Sequence, residues 1–285
     1  MRYILTGALA LGLAAGASAQ SNDARVEAIN GSNNNVVTID QAGTLNTVGM
    51  AAGPAGVFID GSSGNLVDVD QIGTSNAAYV EAAQGGGGNG SDNNDAFVRQ
   101  NGSDNGAEVF FNGNADGNVF DVDQGGSNHT ALARARRGDR NIGDIKQRGD
   151  GHDGRIRVLG DDSDRNEVEI DQAGLGGHVA TAHIDAGARN GAASSAGGMF
   201  RLFQRGDAGS HLVQVFVDGD RNGFDVDQRG DGHIIDANGA RGYAGDGIIV
   251  VGNQNWTEVD QRGTGQSYSE NVVGNGNTID VFQND

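Results

Sequence analysis

The chain has 285 residues, of which 50 are glycine, one is proline and none is cysteine, with 36% hydrophobic and 5% aromatic residues and a formal net charge of −19. That leaves little material for a bulky globular core and no thiol for a disulfide scaffold. The acidity also argues against nucleic acid or anionic lipid as a partner, because such a surface repels phosphate.

In chain order, Met1, Arg2 and Tyr3 give a charged start, an apolar run follows, and Ala17-Ser18-Ala19 supplies small residues for a cleavage site. Residues 1–19 are therefore expected to be a secretory signal peptide. No later segment holds about 18 consecutive apolar residues, so the remaining chain is expected to be exported without membrane insertion. Residues 20–34 read as a short polar segment, too short to cover the end of a stack of strands.

From residue 35 to 285 one phrase recurs ten times: Asn-x-apolar-x-Val/Ile-x-Gln-x-Gly. The paired amides are Asn35 with Gln41, Asn65 with Gln71, Asn94 with Gln100, Asn118 with Gln124, Asn141 with Gln147, Asn166 with Gln172, Asn222 with Gln228, Asn255 with Gln261 and Asn277 with Gln283. Gln204 has Gly198 where the others have Asn, and Phe203 stands at an outward position, which makes this the weakest unit. A period of about 20–50 residues marks solenoids and arrays.

Within each phrase the alternation has period two, the signature of a strand. Asn65, Val67, Val69 and Gln71 share one face, expected inward, and Leu66, Asp68 and Asp70 share the other, expected in water. A glycine-centred turn follows nine of the ten glutamines, all but Gln283. A polar residue then reappears five positions past the glutamine, as Asn46, Asn76, Asn105, His129, His152, His233 or Gln266, and opens a second, weaker alternating segment. The expected fold is all-β: a β-solenoid of about ten strand–arc–strand turns with stacked in-register strands, about 45–50 Å long at about 4.8 Å per strand. Stacked amides satisfy one another along such a ladder, whereas a lone buried amide costs a few kcal/mol. Glycine-rich stretches at 49–64, 84–93, 186–198 and 237–252 read as loops bulging from the arcs. The unit from Asn277 to Gln283 keeps the inward pattern without a polar cap, so an open rung is expected there.

The stretches Gln71-Ile-Gly73-Thr-Ser-Asn76-Ala-Ala78 and Gln100-Asn-Gly102-Ser-Asp-Asn105-Gly-Ala107 resemble the central part of the curlin repeat, the unit of curli amyloid fibre subunits. The resemblance spans about residues 35–283. Asn replaces the family's leading Ser, its second Gln is missing, and histidine stands for Asn at His129, His152 and His233. The resemblance implies export through an outer-membrane secretion pore and assembly with curli major or nucleating subunits into adhesive, biofilm-forming fibres.

Two outward columns are acidic: Asp68, Asp121, Asp144, Glu169, Asp225, Glu258 and Asp280 in one, Asp40, Asp70, Asp123, Asp171, Asp227 and Asp260 in the other, the second interrupted by Arg99 and Lys146. Such rows suit calcium, or serve as solvated gatekeepers against premature aggregation, which is the preferred reading. His129 and His152 fall at equivalent places on neighbouring turns, where they read as stand-ins for Asn rather than as a metal pair, and protonation there is expected to weaken assembly in acid. The glycine-rich stretch from Gly85 to Asp92 occurs once and reads as a loop. No nucleophile elbow or enclosed acid pair is present, so no enzyme and no cofactor is expected. The expected function is a self-polymerising subunit of extracellular curli-type fibres. The alternative is a monomeric, calcium-stabilised secreted solenoid that binds a ligand.

Overall fold

The computed structural model describes residues 10–15, 22–29, 32–49, 57–82, 91–112, 115–135, 138–157, 164–184, 198–206, 210–219, 221–235 and 248–285. Among them there is no helix, and every strand pairing is parallel. One sheet has eleven strands in chain order: Ala10–Ala15, Val36–Thr44, Leu66–Thr74, Asp95–Ser103, Val119–Ser127, Ile142–Asp150, Glu167–Gly174, Met199–Arg205, Gly223–Asp231, Trp256–Thr264 and Thr278–Asn284. Ten of these are the recurring phrase. Their register is strict: Gln41 pairs with Gln71, Gln71 with Gln100, and so on without slippage to Gln283.

Shorter strands form two further sheets. One contains Asp23–Ala24, Val26–Ile29, Thr47–Val48, Val57–Asp60, Ala77–Ala82 and Gly106–Val109; the other contains Val179–Ile184, Leu212–Asp218, Ile234–Ile235, Ile248–Val251, Ser267–Tyr268 and Glu270–Val273. Isolated bridges from Thr130 to Asp153 and from Asp153 to Val179 carry the parallel order between them. Inward side chains of the short strands, such as Val80, Val109 and Val213, join those of the long sheet, such as Val67, Val69 and Val226, in one hydrophobic cluster.

The faces divide as the alternation requires. Val67, Val69 and Gln71 are fully buried and Asn65 nearly so, while Asp68 is exposed. The core is thin, so bulk at one rung is answered by its absence at the next. Phe120 is fully buried, and a side chain on its register partner Gly143 would meet the Phe120 ring at 2.7 Å and Ile156 at 3.0 Å. The weak unit is explained the same way: a Cβ at Gly198 would lie 2.2 Å from the Phe200 ring, so that ring occupies the space an asparagine would need.

The glycine two residues past nine of the ten glutamines has a stricter cause than flexibility. Gly73, Gly102, Gly126 and Gly149 have φ between +121° and +142°, and a Cβ on any of them would sit 1.7–2.0 Å from the carbonyl oxygen of the equivalent glycine one rung on. The rungs approach too closely there for any side chain. Asn34, Asn93, Arg140, Arg165, Arg221 and Gln254, each just before an inward asparagine, have φ of 54–58° and turn the chain into the next rung.

Two expectations need amendment. The stretches 49–64 and 237–252 are not loops throughout, because Val57–Asp60 and Ile248–Val251 within them are strands whose Val57, Ile59, Ile248 and Val250 are fully buried. Most of 84–93 and 186–198 lies outside the described residues. Residues 20–34 do contribute a half turn, with Asp23–Ala24 pairing to Thr47–Val48 and Val26–Ile29 to Val57–Asp60. Finally, Ala10–Ala15, inside the expected signal peptide, lies along the edge of Val36–Gln41.

Gly149→Ala is expected to lower stability by more than about 3 kcal/mol, since strain and backbone collision coincide. Gly232→Ala, at φ +66° with nothing within 4 Å of the added carbon, is expected to cost only about 1–2 kcal/mol. Urea midpoints of the two variants check the difference, and equal midpoints contradict the collision.

Candidate functional site: stacked polar ladders

The ten glutamines form one continuous column. Gln41 Nε2 donates to Gln71 Oε1 at 2.8 Å, and the same bond repeats from rung to rung until Gln261 donates to Gln283 at 2.6 Å. The second amide hydrogen crosses to the short-strand side, as from Gln71 to Thr47 O, from Gln124 to Gly106 O and from Gln204 to Val179 O, at 2.7–3.0 Å. Gln41, Gln71, Gln100, Gln124, Gln172 and Gln204 therefore tie their rungs both upward and across, while Gln147, Gln228 and Gln261 bond along the column, and the buried amides are satisfied.

The asparagine column is built with the opposite polarity. Asn65 Nδ2 donates back to Asn35 Oδ1 at 3.0 Å, and the same oxygen accepts the Asn65 backbone N–H at 2.9 Å. Asn94, Asn118, Asn141 and Asn166 repeat this double contact. At Gly198 the side chain is missing, but its N–H still reaches Asn166 Oδ1 at 3.1 Å. The column resumes through Asn222, Asn255 and Asn277. Glutamine donors thus point toward higher-numbered rungs and asparagine donors toward lower-numbered ones.

A third column, at the mouth of the short strands, is longer than the sequence pattern indicates. It runs Asn22, Asn46, Asn76, Asn105, His129, His152, His178, His211, His233 and Gln266, joined by bonds from each backbone N–H to the preceding side chain at 2.9–3.3 Å. The fixed five-residue offset misses His178 and His211, which follow their glutamines by six and seven residues, and it misses Asn22, which precedes the first phrase. The five imidazoles stack with centroids 4.5–5.0 Å apart. All five are fully buried. Burial lowers the proton affinity of His129, His152, His178 and His211, and His178 falls to about 4, lowered also by the flanking His211 and His152.

The acidic columns lie in register on the outer face, but cations divide them. Arg99 meets Asp121 at 2.6 Å, Lys146 meets Asp144 at 2.5 Å and Glu169 at 3.5 Å, Arg205 meets Asp171 at 3.0 Å, and Arg262 meets Asp260 at 2.6 Å. Arg148, Arg205, Arg229 and Arg262, each one residue past a glutamine, make a basic row that the sequence pattern left unremarked. Single exposed pairs of this kind contribute about 0–1 kcal/mol. Asp70 is held above the ordinary carboxylate range by burial first and by Asp40 and Asp68 second. Among the described residues no group of three or more His, Asp or Glu is arranged to hold a metal, and no helix is long and apolar enough to cross a membrane. An open depression of about 320 Å³ is lined by Arg221, Asn253, Gln254 and Asn275, with no acid–base pair in it. No protein-family model, curated protein or solved structure matches the chain.

Gln124→Ala removes the donor to Gln147 Oε1 and the acceptor for Gln100 Nε2. With the added cavity it is expected to cost about 3 kcal/mol. The outward Asp123→Ala is expected to change stability by no more than about 0.5 kcal/mol. Denaturant unfolding of freshly purified chain compares them, and a Gln124→Ala midpoint equal to the wild type contradicts the ladder.

Proposed function

We propose that the chain is a curlin-like β-solenoid of about ten strand–arc–strand turns, exported after removal of residues 1–19. In this reading it polymerises outside the cell into adhesive, biofilm-forming amyloid fibres. Its partner is a second copy of itself, and it is not an enzyme. The unbroken glutamine ladder carries this reading, because a stack of identical amides is extended by any strand that offers the same amide in the same register.

The edge at Thr278–Asn284 is where extension occurs. Its inward residues Asn277, Ile279, Val281 and Gln283 are partly open to solvent, whereas their equivalents one rung earlier, Asn255, Thr257, Val259 and Gln261, are buried. Ladder polarity then selects the mate. Gln283 uses one amide hydrogen on Ser267 O and directs the other outward, while Asn277 offers the oxygen that elsewhere accepts the next rung's N–H. Two such edges face to face, with inward faces on one side, would run antiparallel and break the parallel pairing that every rung keeps. The edge at Val36–Thr44 presents the complementary set, a Gln41 oxygen and an Asn35 amide, once Ala10–Ala15 is gone. Growth is therefore head-to-tail. A monomeric calcium-clamped binding module has less support, since arginine and lysine already pair with the carboxylate rows.

The test uses the absence of native cysteine. Register places Thr278 of one copy over Val36 of the next, with Cα atoms about 4.8 Å apart and within disulfide reach. A mixture of Thr278→Cys and Val36→Cys chains, both lacking residues 1–19, is expected to form fibres by electron microscopy and to cross-link on mild oxidation; neither variant alone cross-links. Thr278→Cys linking to itself overturns the polarity. A mixture that stays monomeric after a day overturns the polymer. Keeping residues 1–19 is expected to suppress the cross-link.

A further inference from the structure

The histidine column has a property that the asparagines above it in the same column lack. In each imidazole Nδ1 accepts a backbone N–H from the next rung: His152 N to His129 at 3.2 Å, His178 N to His152 at 3.1 Å, His211 N to His178 at 3.2 Å, His233 N to His211 at 3.1 Å and Gln266 N to His233 at 3.3 Å. A backbone N–H only donates, so Nδ1 is bare and the ring proton is on Nε2. Nε2 in turn faces the carbonyls of Gly125, Arg148, Ala173, Arg205 and Arg229 at 3.1–3.4 Å. Both nitrogens of every ring are committed, which also removes the column as a metal site.

A further proton has one place to go, and that place is the bond between rungs. Protonated Nδ1 turns acceptor into donor and sets N–H against N–H, while adjacent rings at 4.5–5.0 Å repel. Asn46, Asn76 and Asn105 make the same inter-rung bond through an amide oxygen that does not titrate in this range. The groups facing the column do little to hold the added charge. Gln124, Gln147, Gln172, Gln204 and Gln228 are neutral; Asp150 and Asp231 are the acids that reach it electrostatically, and Asp153 is engaged by Arg155. The side chains of Arg148, Arg205 and Arg229 point to Asp123, Asp171 and Asp227.

We infer that this column is an acid-operated latch: protonation parts the rungs from His129 to His233, while those held by Asn22, Asn46, Asn76 and Asn105 stay closed. The sign follows from linkage. A depressed imidazole binds its proton more readily in the open chain, so the latch is fully closed above the ordinary imidazole value of about 6.5 and weakens as pH falls from there. The lower end of that window is set by His178, at about 4. The latch acts on a single chain and does not depend on fibre formation.

Hydrogen–deuterium exchange on the full chain at about pH 7.5 and about pH 5.5, corrected for intrinsic rates, tests it. The amides of His152, His178, His211 and His233 are expected to open more than about tenfold more often in acid, with Asn46, Asn76 and Asn105 unchanged. Replacing all five histidines by Asn keeps the donor–acceptor pattern and is expected to abolish the response; His178→Asn alone is expected to weaken it at His211, whose N–H that side chain accepts. Nitrogen shifts of the imidazoles are expected to report Nε2–H rings at neutral pH. Equal acceleration in both groups of amides, a response that survives the Asn replacements, or Nδ1–H rings overturns the latch.

Discussion

Parallel strands held in zero-slip register place identical side chains over one another, and the amide-to-amide hydrogen bond this permits is the constraint behind the rest of the structure. A buried carboxamide is expensive without partners, yet a column of them is satisfied at every interior member. With that bond available, a thin seam of Val, Ile and occasional Phe suffices between the sheets, and a chain with 50 glycines and few aromatics becomes compatible with order. The same bond fixes the register, since a one-residue slip exchanges the inward Gln for an outward Asp along the whole strand.

Close stacking also explains where the pattern is rigid and where it yields. The glycine two residues past a glutamine, as at Gly73, Gly102, Gly126 and Gly149, is rigid because its neighbour's carbonyl oxygen fills the space of a Cβ. The inward asparagine yields once, at Gly198, because the Phe200 ring takes its volume and the backbone N–H alone keeps the bond to Asn166. Asparagine yields to histidine in the third column because imidazole reproduces both of its contacts, Nδ1 for the amide oxygen and Nε2 for the amide nitrogen. What is exchanged is the response to protons: an amide is silent where an imidazole titrates.

The outer face obeys a weaker rule. Carboxylates stacked one strand apart repel, and the chain relieves this with cations placed beside the acids as well as among them. Arg205 and Arg262, one residue past their glutamines, reach back to Asp171 and Asp260. Solvent screens these pairs, so they shape the surface potential more than the stability. The inward ladders hold the chain together; the outward rows set its surface charge.

The sequence by itself determined the strand class, the inward and outward faces, the glutamine and asparagine columns and the weak unit at Gln204, because a period-two pattern repeated ten times leaves one register in which all copies agree. Tertiary structure decided what depends on arcs of unequal length. His178 and His211 sit six and seven residues past their glutamines, so no fixed offset links them to His129, and only stacking shows five rings in one column. The strands Val57–Asp60 and Ile248–Val251 lie in stretches whose glycines suggest loops, and they become strands because neighbours already in register supply the hydrogen bonds that their local sequence does not demand. Asn22 joins the third column for the same reason, by meeting Asn46 rather than by belonging to a repeat. Likewise the opposite polarity of the two amide ladders is a matter of which oxygen faces which rung, a direction that a one-dimensional pattern does not carry.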